Sequence, residues 1–241
     1  MADYLISFTI SEINLIKDAL SVLGLFVLIA LTSLIKKLPL PSWTLRKIDH
    51  ILFLVYFGIL RFFHCNFYDI LIVFAVSVAL VLFFSVLPPV RLLNFVLVKD
   101  TREGEPLTDL LTNLLLTSAS LIFVFFLTLD IPWAFIIAAF SLGLGDGLGE
   151  VVGKRYGMTH HKFRRNKTLE GSIAVLFGLL LSFVIVFLLY PFLVFTVKNI
   201  FFILLVSLVG TLLEAFCVKF MDNLLLPIWM GVSTIVLFPA V

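Results

Sequence analysis

The feature that most constrains this chain is a succession of long apolar runs, each bounded by charges, Pro or Gly, with little polar sequence between them. The run from Leu169 to Tyr190 contains a single charged residue, Glu170, near its start. One soluble core cannot absorb so many runs of that kind. With 62% hydrophobic residues, 13% charged residues and a mean hydropathy of +1.20, the composition is that of an integral membrane protein. A crossing helix needs roughly 20 residues, so the chain has room for about seven or eight spans and no separate soluble domain. The predicted fold is all-α, a polytopic membrane helix bundle forming a single domain over residues 1–241.

Candidate spans run from Ala19 to Ile35, Ile48 to Leu60, Phe67 to Leu87, Leu110 to Leu129, Pro132 to Gly145, Leu169 to Tyr190, Asn199 to Cys217 and Leu224 to Val241. The second and fifth are short for a full crossing. Loops on the cytosolic side of a membrane protein collect Lys and Arg. Placing Lys36 to Lys47, Arg91 to Arg102, Lys154 to Lys167 and Lys219 on one side gathers fourteen basic residues there and leaves Lys17, Arg61 and Lys198 opposite. Eight spans with both ends outside fit this pattern, and the short second run is kept as a span because without it the basic loops fall on both sides. No basic residue precedes Lys17, so no cleaved targeting segment is expected. Cys65 and Cys217 lie far apart among apolar neighbours, which indicates packing rather than a disulfide or zinc framework.

Polar chemistry concentrates between Ser141 and Ala174, on the inferred cytosolic side. Asp146, Glu150 and Lys154 are spaced four and four, so a helix continued through them carries all three on one face. Two carboxylates one turn apart suit a hard cation such as Mg²⁺, which takes oxygen ligands and keeps substrate phosphates and waters. Gly143, Gly145, Gly147, Gly149 and Gly153 weaken that helix by about 1 kcal/mol each relative to Ala. The cost makes sense where a backbone must approach a ligand or another helix, the latter being the structural alternative. Further charges gather on the same side: Arg46, Lys47, Asp49 and His50, then Glu214 and Asp222. Glu214 sits about one turn inside an apolar run, a costly position that marks either a functional site or an interhelical hydrogen bond.

Familiar nucleotide motifs fail on counting. A Walker A loop ending at Gly153-Lys154 needs Gly where Leu148 stands and Ser or Thr where Arg155 stands, and the dinucleotide fingerprint needs Gly at Leu148 or Glu150. Asp146-Gly147 lacks the Ala-Arg that follows it in CDP-alcohol phosphotransferases. The next segment, with His160, His161, Lys162, Arg164, Arg165 and Lys167, offers a surface for a polyanion, although topology alone demands some of that charge. The two adjacent histidines lack metal-ligand spacing. Thr168 or Asn166 is the expected N-cap of the sixth span, whose start, with Glu170, Gly171 and Ser172, presents N–H groups to a phosphate. Lys167 and Glu170, three apart, are placed to pair.

The run Gly145-Asp146-Gly147-Leu148-Gly149-Glu150-Val151-Val152-Gly153-Lys154-Arg155-Tyr156-Gly157, followed by Asn166-Lys167-Thr168-Leu169-Glu170-Gly171-Ser172, resembles the signature of the CTP-dependent lipid kinases. That family comprises phytol, farnesol and dolichol kinases and the yeast-type CTP-dependent diacylglycerol kinase. Arg46-Lys47-Ile48-Asp49-His50 resembles its Arg-Lys-x-x-His opening, and Asp222-Asn223 with Pro227 its closing Asp-Asn segment, so the likeness extends over most of the chain from about Thr44 onward. Phytol kinases tend to have Ala-Asp, and dolichol or diacylglycerol kinases Asp-Thr, where this chain has Gly-Asp-Gly and Gly-Glu. The resemblance therefore points to the family and leaves the acceptor open.

What the resemblance implies is transfer of the γ-phosphoryl group of CTP to a membrane lipid alcohol, giving a lipid monophosphate and CDP. On that reading Asp146 and Glu150 hold Mg²⁺, while Lys154, Arg155 and Lys167 meet the triphosphate and Glu170 positions Lys167. His50 or Asp222 orients or deprotonates the acceptor hydroxyl, with Asp222 as an alternative second metal ligand and Asn223 on base or ribose. Gly145, Gly147, Gly149, Gly153, Asn166, Thr168, Gly171 and Ser172 complete the expected nucleotide-binding set. The catalytic core spans about 141–174, with accessory segments at 44–50 and 214–227. An isoprenoid alcohol is the expected acceptor, held among spans rich in Phe, Leu and Val, and no nucleic-acid partner is expected. The expected setting is the endoplasmic reticulum or an equivalent biosynthetic membrane. Two other classes compete: a cytidylyltransferase that releases pyrophosphate, and a non-enzymatic transporter. A transporter more naturally places its acids near the midplane of repeated halves, and no internal repeat is evident.

Overall fold

The computed structural model describes residues 2–64, 107–193, 196–218 and 220–238. The expected span Phe67 to Leu87, the basic loop Arg91 to Arg102, Cys65 and Lys219 lie outside the described residues. Seven helices appear among the described residues: α1 (Ala2–Ile35), α2 (Ser42–Phe63), α3 (Leu107–Leu127), α4 (Pro132–Tyr156), α5 (Leu169–Leu189), α6 (Val197–Phe216) and α7 (Met221–Leu237). Among the described residues, the one departure from the all-α expectation is a small antiparallel hairpin between α4 and α5, formed by β1 (His160–His161) and β2 (Arg164–Thr168).

Among the described residues, four segments are long and apolar enough to cross a membrane: Ile16–Ile35 of α1, the whole of α4, α5 and α6. The other described helices differ from these four in charge or length, and the count of eight spans rests on the sequence pattern. α2 has 22 residues but carries Arg46, Lys47, Asp49 and Arg61, α3 has 21 residues with Asp109 in its first turn, and α7 has 17 residues. Large apolar side chains such as Ile173, Phe177 and Leu188 on α5 and Phe201 and Leu204 on α6 face outward. An apolar outer face of that extent suits lipid contact rather than water.

α4 is the axis of the bundle. Its apolar window is 72% buried, against 44% or less in the other three spans, and it packs against α2, α3, α5 and α7. Pro132 at its first turn suits a helix start, where the missing N–H costs nothing. Ala134, Ile136, Ile137, Ala138, Ala139 and Leu142 are fully enclosed. The sequence pattern ends this run at Gly145; in the structure it continues to Tyr156 through a π-helical turn at Ser141–Asp146.

Neighbouring helices explain how a glycine-rich stretch remains helical there. A methyl group at Gly143 or Gly147 would lie 3.0 or 2.5 Å from Leu54 or Ile51 of α2, and one at Gly145 or Gly149 would lie 2.9 or 2.5 Å from Leu179 or Val175 of α5. In return, a methyl group on Gly178 of α5 would lie 2.7 Å from the Leu144 carbonyl carbon and oxygen. The two backbones touch at the π turn, and small residues allow it. Of the two readings open in the sequence, these glycines take the packing one: their sides are filled by α2 and α5.

The chain alternates direction so that the start of α2, the end of α4, the start of α5, the end of α6 and the start of α7 share one end of the bundle. Contacts fix the arrangement: Lys47 of α2 meets Asp146 of α4, and Lys167, just before α5, meets both Glu214 of α6 and Asp222 of α7. At the opposite end, Arg61 near the end of α2 donates to the carbonyls of His64, Thr128 and Leu129 at 2.9, 3.3 and 2.6 Å. His64 there approaches Asp18 at 3.4 Å and Ser21 at 2.7 Å, which ties α1 to α2.

Candidate active site

Asp146 lies at the last position of the π turn and is buried. The approach of α2 places two cations over this face of α4. Lys47 makes a close ion pair with Asp146 and reaches Glu150 Oε2 at 3.1 Å, and Arg46 Nη2 donates to both Glu150 oxygens, at 3.0 and 2.9 Å. Lys154, one turn beyond, donates to Glu150 Oε1 at 2.6 Å and lies over the Trp43 ring at 5.3 Å from its centre. Glu150 is thus the common partner of three cations, which hold it through charge-assisted bonds.

On the other side of Asp146, α6 and α7 deliver two more acids. Oxygens of Asp146, Glu214 and Asp222 lie within 4.8 Å of one another. Opposite oxygens around Mg²⁺ stand about 4.2 Å apart and those around Ca²⁺ about 5 Å apart, so this spacing and all-oxygen donor set fit a hard divalent cation. His50 adds an orphaned polar atom: its Nε2 is buried, has no hydrogen-bond partner and lies 3.5 Å from Asp146 Oδ2. The structure divides the pair expected from sequence: Glu150 meets Arg46, Lys47 and Lys154, whereas Asp146 lies with Glu214 and Asp222.

Lys167 enters this cluster from β2. Its ammonium donates to Glu214 Oε1, to the Glu214 carbonyl at 2.7 Å and to Asp222 Oδ2 at 3.1 Å. Burial alone would lower its pKa, but Glu214 and Asp222 beside it hold it above the ordinary lysine value. The expected pairing of Lys167 with Glu170 does not form. Glu170 instead accepts from the Thr159 N–H at 3.2 and 3.3 Å and fastens the hairpin to the first turn of α5.

The other expected residues divide clearly. Thr168 caps α5, accepting the Gly171 N–H at 3.2 Å, while Gly171 itself packs against Gly149 and Gly153 of α4. Ser172 bonds His161 Nε2 at 3.0 Å and Asn166 is exposed on β2. Arg155 is exposed, its guanidinium 5.6 Å from the centre of the Tyr156 ring. Asn223 is buried and donates to Asn113 of α3, and its carbonyl accepts from Ser120 at 2.9 Å. Asp49 pairs with Lys36 at 2.9 Å, between the end of α1 and α2. Sequence reasoning flagged Arg46, Lys47 and Glu214 as charges on the right side without giving them a partner. The depth of Glu214 within an apolar run marked it as needing a partner, but its partner Lys167 lies 47 positions away and only helix packing brings the two together.

The assembled arrangement has a cationic half, Arg46, Lys47 and Lys154 around Glu150, and an anionic half, Asp146, Glu214 and Asp222, with Asp146 touching both. Comparison of the chain with protein-family models, with curated proteins and with solved structures finds no match.

Proposed function

We propose that this chain is a lipid kinase that transfers the γ-phosphoryl group of CTP to the hydroxyl of a membrane lipid alcohol, an isoprenoid alcohol first among them. One observation carries the reading: Asp146 joins a three-carboxylate cluster to a group of three cations at one end of an apolar bundle. A metal–triphosphate complex needs that pair of environments, because phosphoryl transfer depends on alignment and on neutralising phosphate charge more than on covalent help. The preference for CTP comes from the sequence resemblance.

Asp146, Glu214 and Asp222 would hold Mg²⁺, which when bound neutralises charge on the phosphate oxygens. Arg46, Lys47 and Lys154 supply the protein's own positive charge to the remaining oxygens. The acceptor's hydroxyl oxygen forms a bond to the γ-phosphorus, the bond from that phosphorus to the β–γ bridging oxygen breaks, and CDP leaves. The hydroxyl proton passes to His50, whose buried Nε2 has no hydrogen-bond partner and lies beside Asp146. The lipid tail lies along the apolar helix faces. The basic loops support a cytosolic position for the shared end of the bundle, and the family resemblance supports the endoplasmic reticulum or an equivalent biosynthetic membrane as its setting.

The test uses purified, detergent-solubilised protein with γ-labelled CTP or ATP, Mg²⁺, and phytol, geranylgeraniol, dolichol and diacylglycerol, alongside Asp146→Asn. Label entering one lipid from CTP, and lost in the variant, is the expected result and names the acceptor. Release of pyrophosphate from a lipid phosphate would instead identify a cytidylyltransferase. Folded protein that labels no lipid from either nucleotide would overturn the kinase reading.

A further inference from the structure

Lys167 presents a conflict that the kinase reading alone does not resolve. A lysine placed for a phosphate must have N–H groups to give, yet all three donors of this ammonium are committed to the Glu214 carboxylate, the Glu214 carbonyl and Asp222. Two of those partners, Glu214 and Asp222, are also two of the three carboxylates that converge with Asp146. The ammonium therefore occupies the ground that a divalent cation would need. A cation of charge two entering beside it meets like-charge repulsion at close range and competes for the same lone pairs.

The surroundings give the side chain somewhere to go. Lys167 is the penultimate residue of β2, just ahead of the Thr168 cap, so its backbone is held by the hairpin and by the first turn of α5 while its long side chain retains rotatable bonds. The start of a helix favours an anion. An ammonium released from Glu214 and Asp222 would be left beside that helix start with three free donors, on the same end of the bundle as Arg46, Lys47 and Lys154.

We propose that Lys167 is the resting occupant of the three-carboxylate cluster, and that entry of a divalent cation displaces its ammonium and thereby creates a phosphate-binding lysine next to the cation. The proposal rests on the reading of Asp146, Glu214 and Asp222 as a cation site. It makes cation binding and phosphate binding one coupled event: without the cation, Lys167 neutralises the acids and offers nothing to a phosphate. Coupling of this kind follows whenever one ligand removes a group that blocks or withholds the site of another.

Two measurements on the full chain in detergent, neither of them an activity assay, test it. The first titrates Mn²⁺ without nucleotide, by its paramagnetic signal, into wild-type protein and Lys167→Met. Removal of the competing ammonium is expected to tighten Mn²⁺ binding about tenfold or more, because the cation no longer has to displace it. The second needs no variant: acetylation of Lys167 by a water-soluble amine reagent, read by mass spectrometry, is expected to rise several-fold when Mg²⁺ is added, while Lys162 remains unchanged. Equal or weaker Mn²⁺ binding in Lys167→Met, or Lys167 acetylation unchanged by Mg²⁺ at concentrations where Mn²⁺ binds, would overturn the proposal, as would failure of both proteins to bind Mn²⁺. The outcomes separate the two readings. Tight Mn²⁺ binding by the variant without phosphoryl transfer by wild type sinks the kinase and keeps the displacement, whereas transfer with unchanged Mn²⁺ affinity does the reverse.

Discussion

The two ends of the bundle both bury charge, and they satisfy it in different ways. At one end Arg61, only 1% exposed, spends its fork on the carbonyls of His64, Thr128 and Leu129, where the ends of α2 and α3 leave backbone acceptors without helical partners. A cation there closes the helix ends, and these three acceptors are backbone atoms that cannot move away, with the Phe125 ring packed over the guanidinium at 5.1 Å. At the other end the partners are side chains that share: Glu150 serves three cations, Lys167 serves two acids, and Asp146 belongs to both halves. Shared side-chain partners can be exchanged for a ligand; backbone carbonyls cannot. Burial of charge alone therefore does not distinguish a structural site from a reactive one, but the identity of its partners does.

The sharpest break of that comparison is Asp146→Asn, which keeps the shape of the side chain and removes the charge common to both halves. Phosphoryl transfer is expected to fall on the order of 10²–10³-fold, as when one preorganised electrostatic group is lost from an active site, with little change in the melting temperature in detergent. Arg61→Met should do the opposite: strand three carbonyls, cost about 3 kcal/mol of stability, and leave turnover per folded molecule unchanged, as read by thermal unfolding beside the kinase assay. Gly178→Ala places a methyl group against the Leu144 backbone, and overpacking of that kind costs about 1–3 kcal/mol. It should lower stability and turnover together, because the displaced element is the π turn that carries Asp146.

Glu150→Gln sharpens the comparison within the site. If Glu150 holds Arg46, Lys47 and Lys154 in place rather than binding metal, the nucleotide KM should rise roughly tenfold, about 1.4 kcal/mol, while Mn²⁺ affinity stays within a factor of two, a split that a metal ligand would not show. The smallest expected effect concerns pH. Because Lys167 has a folded-state pKa above its ordinary value, its stabilising contribution is fully present below the unfolded lysine value of about 10.4 and is lost only as pH rises through the higher folded value. The difference in melting temperature between wild type and Lys167→Met should therefore stay flat from pH 6 to pH 9, a range over which a group titrating near neutrality would make it slope.

The membrane class of the fold was legible because apolar runs of crossing length have one physical explanation, and the grouping of charges on one side followed from the loops. Asp146, Glu150 and Lys154 were legible as one face because their spacing matches a helical turn. What spacing could not supply was the partner of each charge. Arg46 lies 104 positions from Glu150, and Lys167 lies 47 from Glu214, so helix packing alone decides those pairings. The fifth run read as ending at Gly145 because glycines signal helix ends; the close approach of α2 and α5 to those same glycines overrides the local signal. The hairpin at 160–168 went unforeseen because its strands, His160–His161 and Arg164–Thr168, are too short and too polar to show a strand's alternation.

The π turn at Ser141–Asp146 has one more consequence. Bonding five residues apart rather than four inserts an extra residue into the turn, so everything beyond it is rotated relative to an uninterrupted α-helix by about 100°, the angle that one residue subtends. Asp146 and Glu150 face Lys47 and Arg46 at that rotated phase. Deleting a single residue from 141–145, with every charged side chain retained, would wind the segment back to an α-helix and swing both carboxylates about a quarter of the way around the axis, away from the cations they now face. The angular setting of the chemistry is therefore stored in the length of one turn.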